Sequence, residues 1–330
     1  MLTVRRREFT TLLGGAAAAK PFTAHAQQPA MPVIGFLNGQ SLEEWADLVD
    51  AVRQGLSQAG FIEGRSVAIE YRFAGNASDR LPALASELVS RKVHLIVATG
   101  GDITTRVAAA ATSSIPIVGT FGADPVETGL VVSLNRPGKN LTGVSLFNAA
   151  LAEKQVEMLH LALPGTRDIA ALINPRNLNS ERFVKAAEAA AGTLGLNLIV
   201  MSAEHYGELE TTFSILSQRS VGALVVLADP FFNAQRKQLV ALAARSSMPT
   251  MYFSRTFVEV GGLMSYGSNR AADYRQLGIY AGRILRGDKP GDLPILQPTK
   301  VELIINLKTA KALGLDMPPT LLARADEVIE

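Results

Sequence analysis

The chain has 330 residues and no cysteine, which excludes thiol catalysis, thiolate metal sites, disulfides and a lipid-modified cysteine. Histidine is almost as scarce. Only His94, His160 and His205 follow position 26, well apart from one another, and each reads as a surface or satisfied ring rather than a metal ligand. No metal and no cofactor is therefore expected. The P-loop, H-E-x-x-H and G-x-G-x-x-G patterns are absent. "GGLMSYG" (261–267) offers Ser265 without the G-x-S-x-G spacing of a nucleophile elbow. No apolar run after the N-terminus reaches the 18 residues of a membrane-spanning helix. Charge of one sign is also lacking. Arg5, Arg6, Arg7 and Lys20 against Glu8 give the first 26 residues a surplus of three positive charges, so the rest of the +2 chain stands at −1. A near-neutral body lacks the basic footprint of a nucleic-acid-binding protein.

What is present begins with an address. "RRREFTTLLGGAAAAKPFTAHAQQ" has a cationic start, a short Gly/Ala-rich apolar run from Leu12 to Ala19, and a small-x-small site at Ala24–Ala26. This predicts a cleaved export signal over residues 1–26 and a soluble mature chain from about Gln27, in the periplasm. Arg6-Arg7 with Phe9 fits the twin-arginine route; an ordinary Sec signal is the alternative.

The body reads as an α/β protein written twice. Apolar runs such as "VIGFL" (33–37), "VAIEY" (67–71), "HLIVA" (94–98), "IPIVG" (115–119), "IAALI" (169–173), "LNLIV" (196–200), "ALVVL" (223–227) and "PTMYF" (249–253) alternate with helical patterns. Continuous apolar strands in that alternation predict parallel sheets covered on both faces. The landmarks recur in order: Asn38 and Asn174, Gly60 and Gly195, Leu95 and Leu224, Pro116 and Pro249, all about 130 residues apart. Two similar lobes facing each other across a cleft follow. Ser41 with Glu44 forms a capping box before a helix bearing Trp45, Leu48, Val49, Val52 and Leu56, with Gly60 at its end. Asn179 or Ser180 caps the corresponding helix of the second lobe, which carries Phe183, Val184 and Ala187.

Strand ends in α/β sheets carry the chemistry. Here they hold amides, hydroxyls and glycines: "NGQS" (38–41), "TGGD" (99–102), "GADP" (122–125), "NPRNLNS" (174–180), "ADPFF" (228–232) and "SYGSN" (265–269). Such groups suit a small zwitterion. Asp124 and Asp229 both stand in Ala-Asp-Pro on loops after strands. Each is a candidate ligand for an amine, a candidate general base, or only a turn or capping residue. Of Phe231 and Phe232, one is expected in the core and the other over a ligand; Trp45 is expected in the core. The helix after Arg270 should bury Leu277, Tyr280, Ala281, Ile284 and Leu285, with Arg270, Asp273, Arg275 and Arg283 on a solvated face.

The signal, "MPVIGFLNG", "FGADPVETGLV", "SLNRPGKNLTGVS", "LINPRN", "YFSRTFVEVGGLMSYG" and "VELIINLKTAKALGL" together resemble the substrate-binding proteins of ABC transporters of the tryptophan/tyrosine type, over nearly the whole chain. The resemblance implies the type I periplasmic binding protein fold: two Rossmann-like lobes with parallel sheets and a hinge of three crossing segments. On that pattern residues 31–146 with 263–297 form lobe one, 150–256 with 300–320 form lobe two, and 321–330 are a poorly anchored tail. The crossings fall near 146–150, 255–263 and 296–300. First-lobe contacts would be Asn38, Gly39, Thr99, Gly100, Asp124 and Ser145; second-lobe or hinge contacts would be Asn174, Asn177, Asp229 and Tyr266. The implied role is a monomeric receptor, not an enzyme, that carries an amino-acid-like small molecule to the membrane permease of an ABC importer. A module feeding a membrane sensor, or an exported hydrolase or isomerase using a cleft Asp, are the alternatives.

Overall fold

The computed structural model describes residues 31–146, 148–298 and 300–330. The expected export signal over 1–26 lies outside the described residues, as do Phe147 and Thr299 within two of the expected crossings.

The chain starts with β1 (Val33–Asn38), α1 (Leu42–Gln58), β2 (Ala68–Phe73), α2 (Leu81–Ser90), β3 (Leu95–Thr99), α3 (Asp102–Ala111), β4 (Ile117–Phe121) and β5 (Leu141–Ser145). These strands form a parallel sheet in the order β2-β1-β3-β4-β5. The chain then passes to α4 (Asn148–Ala162), β6 (Asp168–Ile173), α5 (Ser180–Leu194), β7 (Asn197–Ser202), α6 (Tyr206–Gln218) and β8 (Ala223–Val226). It continues through α7 (Pro230–Ala234), α8 (Arg236–Arg245), β9 (Thr250–Tyr252), α9 (Arg255–Glu259) and β10 (Met264–Ser268). The order β7-β6-β8-β9-β10 repeats the first sheet strand for strand. The recurring landmarks of the sequence are therefore a repeated topology.

After β10 the chain returns to the first lobe as α10 (Arg270–Leu285) and crosses once more to β11 (Val301–Asn306), α11 (Leu307–Ala312), α12 (Pro319–Leu322) and β12 (Glu327–Ile329). β11 pairs antiparallel with β10, and β12 pairs parallel with β11. Two sequence expectations are corrected here. The second crossing was placed at 255–263, yet Met264–Ser268 pairs with β9 and β11 in the second sheet, so the chain leaves lobe two only at Ser268–Asn269. Residues 321–330 are not a loose tail. Ile305 and Val328 are register partners, and Asp326 Oδ2 accepts from Leu303 N at 3.0 Å, which fixes the segment to the sheet.

The apolar core is divided as the sheets demand. In lobe one, Ile34, Phe36, Leu95 and Val97 pack with α1 and α10, while Leu37, Ile96 and Ala98 face the opposite side with α2 and α3. Alternation along each strand thus fills both faces. Lobe two has its own cluster around Leu172, Val225, Met251 and Ile305. Trp45 is fully buried at the start of α1, behind the Ser41–Glu44 capping box. Helices α1 and α10 meet backbone to backbone: a Cβ on Gly55 would lie 1.9 Å from the Arg275 carbonyl oxygen, and one on Gly278 would lie 2.0 Å from that of Val52. This contact locks α10 onto lobe one although it follows a lobe-two strand.

Candidate ligand-binding site

A cavity of about 790 Å³ lies between the carboxyl ends of the two sheets, in the range typical of small-molecule sites. Each lobe builds its wall by the same device. Asn38, at the end of β1, accepts from Gln40 N through Oδ1 (2.7 Å) and donates to Thr99 Oγ1 (2.8 Å). Asn174, just past β6, accepts from Arg176 N (3.0 Å) and donates to Asp229 Oδ1 (3.1 Å). Each strand-end amide thus pins its own turn and ties it to the carboxyl end of its lobe's third strand or the residues just beyond it. Gly100 and Gly101 open α3 with φ of +83° and +116°. A Cβ on Gly100 would meet Asn38 Oδ1 at 2.5 Å, so only glycine allows this close approach.

Asp229 is 5% exposed and caps α7. Its carboxylate receives Asn174 Nδ2, Asn177 Nδ2 (2.9 Å), Phe231 N (2.8 Å) and Phe232 N (3.3 Å). Burial pushes its pKa above the usual carboxylate range, and the four donors work against that rise. The cap also sets two aromatic rings: Phe232 is fully buried and Phe231 lines the cavity. Asp102 opens the corresponding helix of lobe one. It accepts from Gly122 N (2.5 Å) and Ala123 N (3.2 Å), and from Asn179 Nδ2 of lobe two at 2.7 Å.

That last bond crosses the cleft, and others accompany it. Arg270 Nη1 donates to Asn233 Oδ1 at 3.2 Å, Arg182 pairs with Glu127, and a Cβ on Gly101 would touch Pro230 Cγ at 3.3 Å. The lobes are closed on one another. Phe183, Tyr206, Phe231, Phe253 and Tyr274 are among the residues that line the space between the lobes.

Of the residues singled out from sequence, Gly100, Asn174, Asn177 and Asp229 line the cavity. Asn38, Gly39 and Thr99 lie in the layer that shapes the first-lobe loops, and Ser145 is buried at the end of β5. Tyr266 points elsewhere on β10, its carbonyl accepting from Gln155 Nε2. Asp124 is exposed and outside the cavity; its Oδ1 takes Val126 N (2.7 Å) and Glu127 N (3.4 Å) of its own turn. The Ala-Asp-Pro stretch forms a turn here. Asp102 is the acid that flanks the cleft opposite Asp229, and "TGGD" carried that signal. Arg270 and Asp273 are not on a solvated face: Arg270 lines the cavity and Asp273 is 7% exposed.

Two α/β lobes of repeated topology, three crossings and a polar–aromatic cavity between them define a periplasmic binding protein of type I. Residues 30–329 match the family described as ABC transporter substrate binding protein, and the chain belongs to that family. It is 28% identical over 264 residues to a tyrosine-binding protein of Clostridioides difficile (strain R20291), covering 79% of this chain and 74% of the relative. An ABC domain from Streptococcus pneumoniae in complex with L-Trp superposes with a TM-score of 0.82 at 26% identity, over 90% of this chain and 99% of that one. A ligand-free, open structure of a substrate binding protein with adhesive properties from Clostridium difficile shares the same identity and coverage but reaches only 0.65. The lower score with the open structure agrees with the closed lobes seen here.

Proposed function

We propose that this protein is an exported receptor that captures an aromatic amino acid between its lobes and delivers it to the permease of an ABC importer. The observation that carries the reading is the cavity between the lobes, lined by Phe231 and Phe253 from lobe two and Tyr274 from lobe one. Aromatic walls suit an aromatic side chain, and the polar loops around Gly100 and Asn177 suit its charged end. The relatives that bind tyrosine and L-Trp support the same class. Because both lobes contribute, the ligand gains its full set of contacts only in the closed state and so stabilises it. No step forms or breaks a covalent bond. The receptor acts as a monomer whose lobes move freely, and residues 1–26, with Arg5–Arg7 and the Ala24–Ala26 site, direct its export.

Calorimetry of the mature chain with L-tryptophan, L-tyrosine and L-phenylalanine tests this. At least one should bind in the micromolar range or tighter, about −8 kcal/mol or better. Phe231→Ala should weaken it about tenfold or more, and Asp124→Ala, outside the cavity, should leave it unchanged. No binding by any of the three at millimolar concentration would remove the proposal.

A further inference from the structure

Arg270 is the first residue of α10, directly after the second crossing, and it faces the cavity at the hinge end beside Ser268. Its guanidinium carbon lies 5.5 Å from the Trp45 ring centroid, 5.8 Å from Tyr274 and 6.0 Å from Phe253. Rings from both lobes therefore hold the cation, and the neutral Asn233 is its one side-chain partner among the described residues. Its Nε is buried and has no hydrogen-bond partner. No carboxylate among the described residues reaches contact distance with it, although its charge acts on the buried Asp273 three residues on.

The acids of the cavity are in the opposite condition. A carboxylate offers about four lone-pair sites. Asp229 has four donors and Asp102 has three. Glu204 is paired with Arg176 at 2.8 Å, with His205 Nε2 at 3.2 Å. Asp79 is exposed, where water competes for any charge it meets.

We infer that the cavity recognises its ligand through a carboxylate held by Arg270 and does not require an α-ammonium, so that the ligand class is aromatic carboxylic acids, amino acids included. The inference rests on the reading of the cavity as an aromatic-ligand site. A guanidinium held by the charge of ring faces spends none of its N–H donors on them, and its N–H edge matches a carboxylate with two parallel hydrogen bonds. Those bonds would satisfy the orphaned donor. An ammonium would instead meet acids already supplied with donors, leaving the neutral Gln40 amide oxygen as its one buried acceptor without a partner among the cavity-lining residues. Because Arg270 touches rings of both lobes and bonds Asn233 across the cleft, the ligand's carboxylate also completes a contact that exists only when the lobes are shut.

The test uses matched ligand sets on the full mature chain by calorimetry: an aromatic amino acid, its desamino acid and its decarboxylated amine. Tryptophan, indole-3-propionate and tryptamine form one set; tyrosine, 3-(4-hydroxyphenyl)propionate and tyramine form the other. Loss of the carboxylate should weaken binding by about 100-fold or more, and loss of the ammonium by less than about tenfold. In Arg270→Gln the acid and the amine should bind within a few-fold of each other, while Arg270→Lys, which keeps the charge and loses the fork, should fall between. Amines binding as well as acids to the unmodified chain would overturn the inference, as would desamino acids losing as much as amines, or Arg270→Gln keeping the preference. The ligand sets decide the question on the unmodified chain even where a variant fails to fold. Amino acids binding without their desamino forms sinks this inference and leaves the amino-acid reading standing; the reverse pattern does the opposite. Binding of neither kind removes both.

Discussion

Asn179→Ala isolates the contribution of a direct lobe-to-lobe bond to ligand affinity. Asn179 Nδ2 donates to Asp102 Oδ2 at 2.7 Å across the cleft, a charge-assisted bond in a partly buried setting. Asn179 stands at the N-cap of α5 but makes no side-chain bond to that helix, so its removal leaves the helix end as it was. Asp102 keeps Gly122 N and Ala123 N, so no bare charge is left behind. When the lobes part, water replaces the amide on both sides. The bond therefore counts only toward closure, and its net value is about 1–2 kcal/mol. Affinity should fall about 5- to 30-fold. The urea midpoint should stay unchanged, and small-angle scattering should show a larger share of extended molecules at subsaturating ligand. A cycle with Asp102→Ala, which removes the acceptor, separates this bond from any contact of Asn179 with the ligand, because the loss should be shared between the two partners. Equal affinity in Asn179→Ala, or an equal loss in the Asp102→Ala background, would refute the reasoning.

The hinge and the interhelix contact yield further expectations. Burial raises the Asp273 pKa to about 6, Glu302 pushing the same way while Ser268 and Arg270 oppose it. A folded pKa above the unfolded value means that the charged form costs stability above about pH 6, and the cost disappears as pH falls toward the unfolded value near 3.8. Asp273→Asn keeps an acceptor for the Ser268 hydroxyl and should stabilise the protein by up to about 3 kcal/mol at pH 8, the gain fading toward pH 4. Thermal melts across that range check the slope, and a gain independent of pH would contradict the assignment. Gly278→Ala forces a Cβ to within 2.0 Å of the Val52 carbonyl oxygen and should destabilise by about 3 kcal/mol, whereas Gly192→Ala in α5, with open space around it, should gain about 0.5–1 kcal/mol. Urea midpoints that shift in the same direction for both would count against the packing argument.

Much of the scaffold was legible because its signals are local. Apolar runs of strand length, the Ser41–Glu44 box and the recurring Asn and Pro landmarks needed no tertiary information. The second crossing was misplaced because "LMSYGS" holds glycine and serines, which weaken a strand signal, while pairing with β9 and β11 outweighs that local preference. The repeat contained the remedy: β5 ends at Ser145 just before the first crossing, and β10 ends at Ser268 just before the second. β12 was missed for a similar reason, since "EVI" is too short to read alone and gains its place from β11. At the site, polar strand ends were a sound guide to the loops but not to the side chains. Asp124 and Asp229 share a tripeptide, yet one turns outward and the other caps a helix in the cleft. Arg270 looked like one charge of a solvated stripe. Its position beneath Trp45, Tyr274 and Phe253 depends on how two lobes meet, which no window of sequence contains.

The returning segments have a consequence for solubility. Each half, taken alone, would leave the outer edge of its fifth strand open to pairing with another molecule. In the first half, Leu296 occupies that edge, bonding Gly143 and Ser145 of β5; in the second, β11 covers β10 and hands the edge on to a three-residue strand. The threads that join the halves are thus also selvedges, and a form cut into separate halves should be prone to aggregate even where each half folds.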